Sequence, residues 1–132
     1  MIDKMQILLA NMSDKIPGVL TAAVVSINDG LSIAEDCRKE GIDSAAASAY
    51  LASIVKSNVN AIKLLTGDQV TEDILVTTND YYFIIRHLPD QPFFIFLMTT
   101  RDSWLGKIRI VMKEYDDQFR QFAEFLAINY MD

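Results

Sequence analysis

The stretch AAVVSINDGLSIAED, Ala22 to Asp36, decides how this chain folds at its start. Two apolar, partly β-branched segments flank Asn28-Asp29-Gly30. Asp-Gly in that setting signals a hairpin closed by a type I′ turn, whose two central residues both need positive φ. The paired strands then run over Val19 to Ile27 and Leu31 to Cys37. Neither AAVVSI nor FFIFLM, Phe93 to Met98, alternates cleanly between apolar and polar. Near-continuous apolar runs mark strands covered on both faces, so helices are expected on each side of one sheet.

Working outward, Ile2, Met5, Leu8, Leu9 and Met12 recur at three- and four-residue steps, which predicts a helix over Met1 to Lys15 ended by Pro17-Gly18. Arg38 to Gly41 reads as a loop. Asp43 or Ser44 is placed to cap a long helix reaching about Leu65, with Gly67 as its terminator. Strands are expected over Gln69 to Thr78, Tyr81 to Leu88 and Phe93 to Thr100, turning at Asn79-Asp80 and at PDQP. Ser103 reads as the N-cap of a last helix from Trp104 to about Leu126. The order is αββαβββα in a single domain spanning 1–132, an α/β (α+β) chain with a mostly antiparallel sheet in a three-layer αβα sandwich.

The composition, 51% hydrophobic and 23% charged over 132 residues, is that of one globular domain. The single cysteine, Cys37, permits no intrachain disulfide and no thiolate metal cluster, which fits a reducing cytoplasm. No apolar run approaches the ~20 residues that span a bilayer, and the start of the chain is not patterned as a signal or transit peptide. Membrane insertion is therefore not expected. The net charge of −6, with Lys and Arg scattered, argues against nucleic acid as a partner.

Projected at 100° per residue, the long middle helix turns Ala47, Leu51, Ile54, Val55, Ile62 and Leu65 toward the sheet. Asn58 falls among them and needs partners, read as a nearby strand or loop backbone in preference to a ligand. The opposite face carries Ala45, Ala46, Ala49, Ser53, Lys56, Asn60 and Lys63. Such a face reflects helix propensity or a surface where small side chains let another helix approach. In the last helix Leu105, Ile108, Met112, Tyr115, Phe119, Phe122 and Leu126 follow a/d spacing, read as a stripe against the chain's own sheet.

Chemistry is sparse. The chain has no phosphate-binding glycine loop, no nucleophile elbow and no His or Cys pair at ligand spacing, so no enzyme, cofactor or metal is expected. His87 reads as an ordinary surface or half-buried residue, Cys37 as a packed thiol and not a nucleophile, and the pairs Glu35-Asp36, Glu72-Asp73 and Asp116-Asp117 as solvated. Of the arginines that could serve phosphoryl transfer in a partner's site, Arg86 and Arg101, Arg101 is the better placed, but neither is read as having that role.

With these elements in place, the VVSINDGLSIA hairpin, the YLASIVKSNVNAIKLLTG helix, ILVTTNDYYFIIRHL and TTRDSWLGKIRIVMKE together resemble the roadblock/dynein light-chain family. The match runs from about Ile7 to Phe122. The long last helix, the segment Ser57 to Gly67 and Leu105-Gly106-Lys107 are similar to its prokaryotic branch, of the gliding-motility type that partners a Ras-like small GTPase. The resemblance implies a profilin-like fold with sheet order 2-1-5-4-3. It also implies a homodimer in which third strands pair edge to edge and second helices pack together, and GTPase binding by that dimer, in cell polarity or motility. The implied partner or dimer face is Ala45, Ala49, Ser53, Lys56, Asn60 and Lys63, and the implied dimer edge Thr71, Ile74 and Val76. A scaffold subunit that never alters nucleotide turnover would use the same surfaces. A small-molecule sensor is the weaker alternative, since Phe93, Phe94, Phe96 and Phe119 argue for filled packing.

Overall fold

Ser26 and Leu31 close the hairpin one step wider than a two-residue turn would. In a computed structural model describing residues 2–88 and 91–122, Ser26 N–H donates to Leu31 C=O (2.9 Å) and Gly30 N–H to Ser26 C=O (3.0 Å). The type I′ reading is thus corrected to a four-residue loop. Asp29 Oδ1 accepts from Leu31 N–H at 3.0 Å, and Gly30 takes φ +70°. Gly30 has a second role there: a Cβ on it would lie 2.8 Å from Ala49 Cα, so glycine is what lets the loop lie against the long helix.

The elements are α1 (Ile2–Asp14), β1 (Val19–Ser26), β2 (Ser32–Cys37), α2 (Ser44–Thr66), β3 (Asp73–Thr77), β4 (Tyr81–His87), β5 (Phe93–Thr100) and α3 (Leu105–Glu114). Residues 116–122 are helical again after a turn at Tyr115. The single expected last helix is therefore broken, and its expected end near Leu126 lies outside the described residues. Despite the break, Ile108, Met112, Tyr115 and Phe119 all enter one buried cluster, so the a/d stripe does lie on the chain's own sheet. Ser103 is not the cap: Trp104 occupies that position without a side-chain bond, and Ser103 Oγ donates to Pro17 C=O. At α2, by contrast, Asp43 accepts from Ala46 N–H, and Gly67 ends the helix at φ +79° by donating to Lys63 C=O.

All strand pairs are antiparallel and the order is β2-β1-β5-β4-β3, which leaves β2 and β3 as the edges. Both faces are covered. One carries α1, α3 and the large cluster around Met5, Leu9, Met12, Phe93, Leu97 and Phe119; the other carries α2 over Ala23, Val25, Ile85, Phe94 and Phe96. This is the three-layer arrangement expected from uninterrupted apolar strands.

The orientation of α2 departs from the projection. Its buried residues are Ser44, Ser48, Ala52 and Val55, with Leu51 and Val59 half-buried against the sheet. Ile54 and Leu65, expected inside, are exposed, Leu65 at 79%. Small residues spaced by four let the helix approach β1 and β2 closely. Ser48 is satisfied by donating to Ser44 C=O (2.7 Å) and by its contact with Ser32 Oγ (2.8 Å). A projection weighted by side-chain size misses this stripe because serine and alanine carry little weight in it.

Candidate interaction surface

Rolling Ser44, Ser48 and Ala52 inward turns the helix's large apolar residues outward. Tyr50, Leu64 and Leu65 are 76%, 89% and 79% exposed, and Ile54 is exposed beside them. Tyr50, Ser53, Ile54, Ser57, Asn58 and Ala61 line an open groove of about 660 Å³ along this flank. Asn58, half-buried at its margin, accepts a hydrogen bond from the Thr71 hydroxyl. The partner is thus a side-chain hydroxyl and not the expected main chain, and the bond ties the flank of α2 to the chain entering β3.

β3 offers the other half of the surface. Thr78 N–H donates to Tyr81 C=O (2.9 Å). Alternation along the antiparallel ladder then directs the main chain of Val76 and Ile74 at β4, and that of Leu75 and Thr77 outward. An edge with free N–H and C=O groups and exposed Leu75 and Val76 is a template for another strand.

The residues expected at the interface divide accordingly. Ile74 is half-buried against the α2-side cluster and Val76 is exposed at the edge. Thr71 precedes β3, which begins at Asp73 and not at Gln69. On α2, Ser53 lines the outer groove, with its hydroxyl bonded to Ala49 C=O (3.2 Å). Asn60 and Lys63 are exposed. Ala45, Ala49 and Lys56 lean the other way: Ala45 borders a groove at β2, Ala49 meets the Gly30 loop, and Lys56 Nζ donates to Asn28 C=O (3.2 Å). Missing from the expected set are Tyr50, Ile54, Leu64, Leu65, Leu75 and Thr77. The Ser44-Ser48-Ala52 spacing could have located the first four, and counting back from the Asn79-Asp80 turn the last two.

The acidic pairs are not all solvated. Arg86 Nη2 and Nε donate to Asp116 at 2.7 and 3.2 Å, Nη1 donates to Glu72 C=O at 3.3 Å, and Asp73 lies 3.9 Å away. Arg109 completes the cluster on Asp73 at 2.9 Å. The bonds to Asp116 raise the Arg86 pKa above its ordinary value against an opposing cost of burial. Arg86 is thereby committed to holding the last helical segment on β4. Arg101 is exposed, with Nη1 3.4 and 3.5 Å from the carbonyls of Thr78 and Asn79 and its guanidinium 5.4 Å from the Tyr82 ring centroid. Cys37 is exposed, not packed. Among the described residues no group of three or more His, Cys, Asp or Glu could hold a metal ion.

No family model and no curated protein matches the sequence. Solved structures do match over nearly the whole chain. MglB of Myxococcus xanthus superposes with a TM-score of 0.84 at 15% identity, covering 95% of this chain and 91% of that one. A Roadblock/LC7 domain from Streptomyces avermitilis gives 0.71 at 15% identity, with 89% and 95% covered. The gliding protein MglB of Thermus thermophilus gives 0.72 at 14% identity, with 93% and 90% covered. At such identities the likeness is one of fold: this chain has the Roadblock/LC7 fold in the form that MglB takes.

Proposed function

We propose that this protein is a non-catalytic homodimeric regulator or adaptor of a Ras-like small GTPase, acting in the cytoplasm in cell polarity or motility. The observation that carries the reading is the set of exposed apolar residues Tyr50, Ile54, Leu64 and Leu65 on α2 together with the open edge of β3. Two copies related by a two-fold axis pair their β3 edges through Leu75 and Thr77 and pack the outer flanks of α2 together. Ser53, Lys56, Asn60 and Lys63 then lie on the polar side of two adjacent helices, where the GTPase docks. The likeness in fold to MglB supports this reading, as does the resemblance of Ser57 to Gly67 and of Leu105 to Lys107 to GTPase-partnering roadblock proteins. With Arg86 held by Asp116, Arg101 is the arginine left on the surface near the end of β5.

Light scattering fixes the first half of the proposal and GTP hydrolysis by a Ras-like GTPase from the same organism, with and without this protein, the second. A dimer mass with faster hydrolysis is the expected result. A dimer that binds the GTPase without changing turnover makes the protein a scaffold. A monomer that binds no GTPase overturns both.

A further inference from the structure

The opposite edge of the sheet is also open, and it is built differently. β2 pairs with β1 alone. Arg38 N–H donates to Leu20 C=O at 2.8 Å, so alternation turns the main chain of Asp36 and Ala34 toward β1 and leaves the N–H and C=O of Glu35 and Cys37 facing away. The strand, SIAEDC, carries neither lysine nor proline, and its only charges, Glu35 and Asp36, are negative and so guard it against acidic strands and not basic ones. An open groove of about 630 Å³ runs along it, with Gln6 of α1 and Ala45 of α2 on its walls and Leu31, Ser32 and Glu35 along its floor. Glu35 is half-buried, and its Oε1 is buried and accepts no hydrogen bond among the described residues. A buried carboxylate oxygen without a donor is costly, and the cost is removed by a cation brought in from outside. Asp36 does not compete for that cation, because Arg38 already holds it at 2.8 Å.

From this geometry we propose that the β2 groove takes an extended basic segment of a partner polypeptide as an added strand, with a Lys or Arg side chain bonded to Glu35. Main-chain bonds to Glu35 and Cys37 supply affinity, and the Glu35 carboxylate supplies selectivity for the cation. A second copy of this chain is a poor occupant. Pairing two β2 edges about a two-fold axis sets Glu35 and Asp36 of each copy against those of the other, and like charges across a strand pair repel. The site is separate from the β3 edge, so it stands whether or not the GTPase reading does.

The test uses the full chain labelled with ¹⁵N. The probe is a capped synthetic strand of alternating threonine and valine with one central lysine, matched to the six residues of β2. Saturable amide shifts and slowed hydrogen exchange at Glu35 and Cys37 are expected, with affinity falling in the order lysine, norleucine, glutamate at the central position. Glu35→Gln, checked for folding by its own spectrum, is expected to weaken the lysine peptide about tenfold, the worth of one charge-assisted bond, and to leave the norleucine peptide unchanged. Shifts confined to Leu75 and Thr77, no shifts up to about 1 mM peptide, an affinity that a weak site should still register, or indifference to the central charge would each overturn the proposal. The peptide series on the native protein decides the matter even if Glu35→Gln does not fold.

Discussion

Under α1 and α3 the sheet is closed by Met5, Leu9, Met12, Phe93, Ile108 and Phe119, each 1% exposed or less, whereas over the other face α2 contributes only Ala52 and Val55 as fully buried apolar residues. The same helix leaves Tyr50, Ile54, Leu64 and Leu65 outside. One side of the sheet is finished within the chain; on the other, α2 itself buries small residues against Phe94 and Phe96 and exposes large ones. Burial of apolar area stabilises at about 25 cal/mol per Å², so a single chain gains little from the outer flank of α2 and a second protein surface gains much. The difference separates the side that makes the fold from the side that is available for assembly.

Truncating the closed side should give the largest effect. Phe93→Ala removes a fully buried ring and is expected to cost about 3–5 kcal/mol in denaturant unfolding, while Ile54→Ala on the open side of α2 stays within about 0.5 kcal/mol for the monomer. Equal losses at the two sites would erase the contrast. Next comes the ion pair that pins the last helical segment. Asp116→Ala leaves Arg86, whose side chain is 11% exposed, with only the Glu72 carbonyl and the more distant Asp73, and is expected to cost about 3 kcal/mol. Replacing both partners with Met and Leu should recover most of that loss, because no uncompensated charge then remains.

Smaller again is the contact between the hairpin loop and α2. Gly30→Ala combines a positive φ with a close approach to Ala49 and is expected to cost about 2 kcal/mol. Adding Ala49→Gly should restore little of it, because the nearest approach, 2.8 Å, is to the Ala49 Cα, which that change keeps. On the open flank, Leu64→Ser with Leu65→Ser should leave the monomer's stability within about 0.5 kcal/mol per site yet halve the mass of the proposed dimer in light scattering; a surviving dimer would move the interface elsewhere. The smallest effect is at Asp29. Its pKa lies below the ordinary 3.8 because it accepts from Leu31 N–H and then from Ser26, so folding favours the charged form. Its contribution is present above pH 3.8 and is lost as pH falls through the lowered native value. In acid titrations followed by thermal unfolding, the gap between the native chain and Asp29→Ala should therefore close below that pH.

Much of the fold was legible in the sequence. The apolar steps of α1 and the turn signals at Pro17-Gly18, Gly30, Gly67 and Asn79-Asp80 mark element ends that the structure keeps. The a/d stripe from Leu105 to Phe119 also falls where it was expected, because large side chains at helical spacing have one way to be buried. What escaped the reading depends on neighbours distant in sequence. The stripe Ser44-Ser48-Ala52 is buried because β1 and β2 come close enough to reward small side chains and Ser32 satisfies Ser48. Asp73 and Asp116 looked solvated because Arg86 and Arg109 reach them only across the folded chain.

By itself the sequence determined which segments are strand or helix, that the strands are covered on both faces, and that the chain resembles the roadblock proteins. These follow from local periodicity, turn chemistry and composition, which act over a few residues. Only the tertiary structure decided which flank of α2 is free, which main-chain groups at the two sheet edges face outward, and that Glu35 holds a buried oxygen with no donor among the described residues. Each of those depends on a helix's roll or a ladder's register, set by contacts between residues far apart in the chain. A change of one position in either would turn a different set of side chains outward.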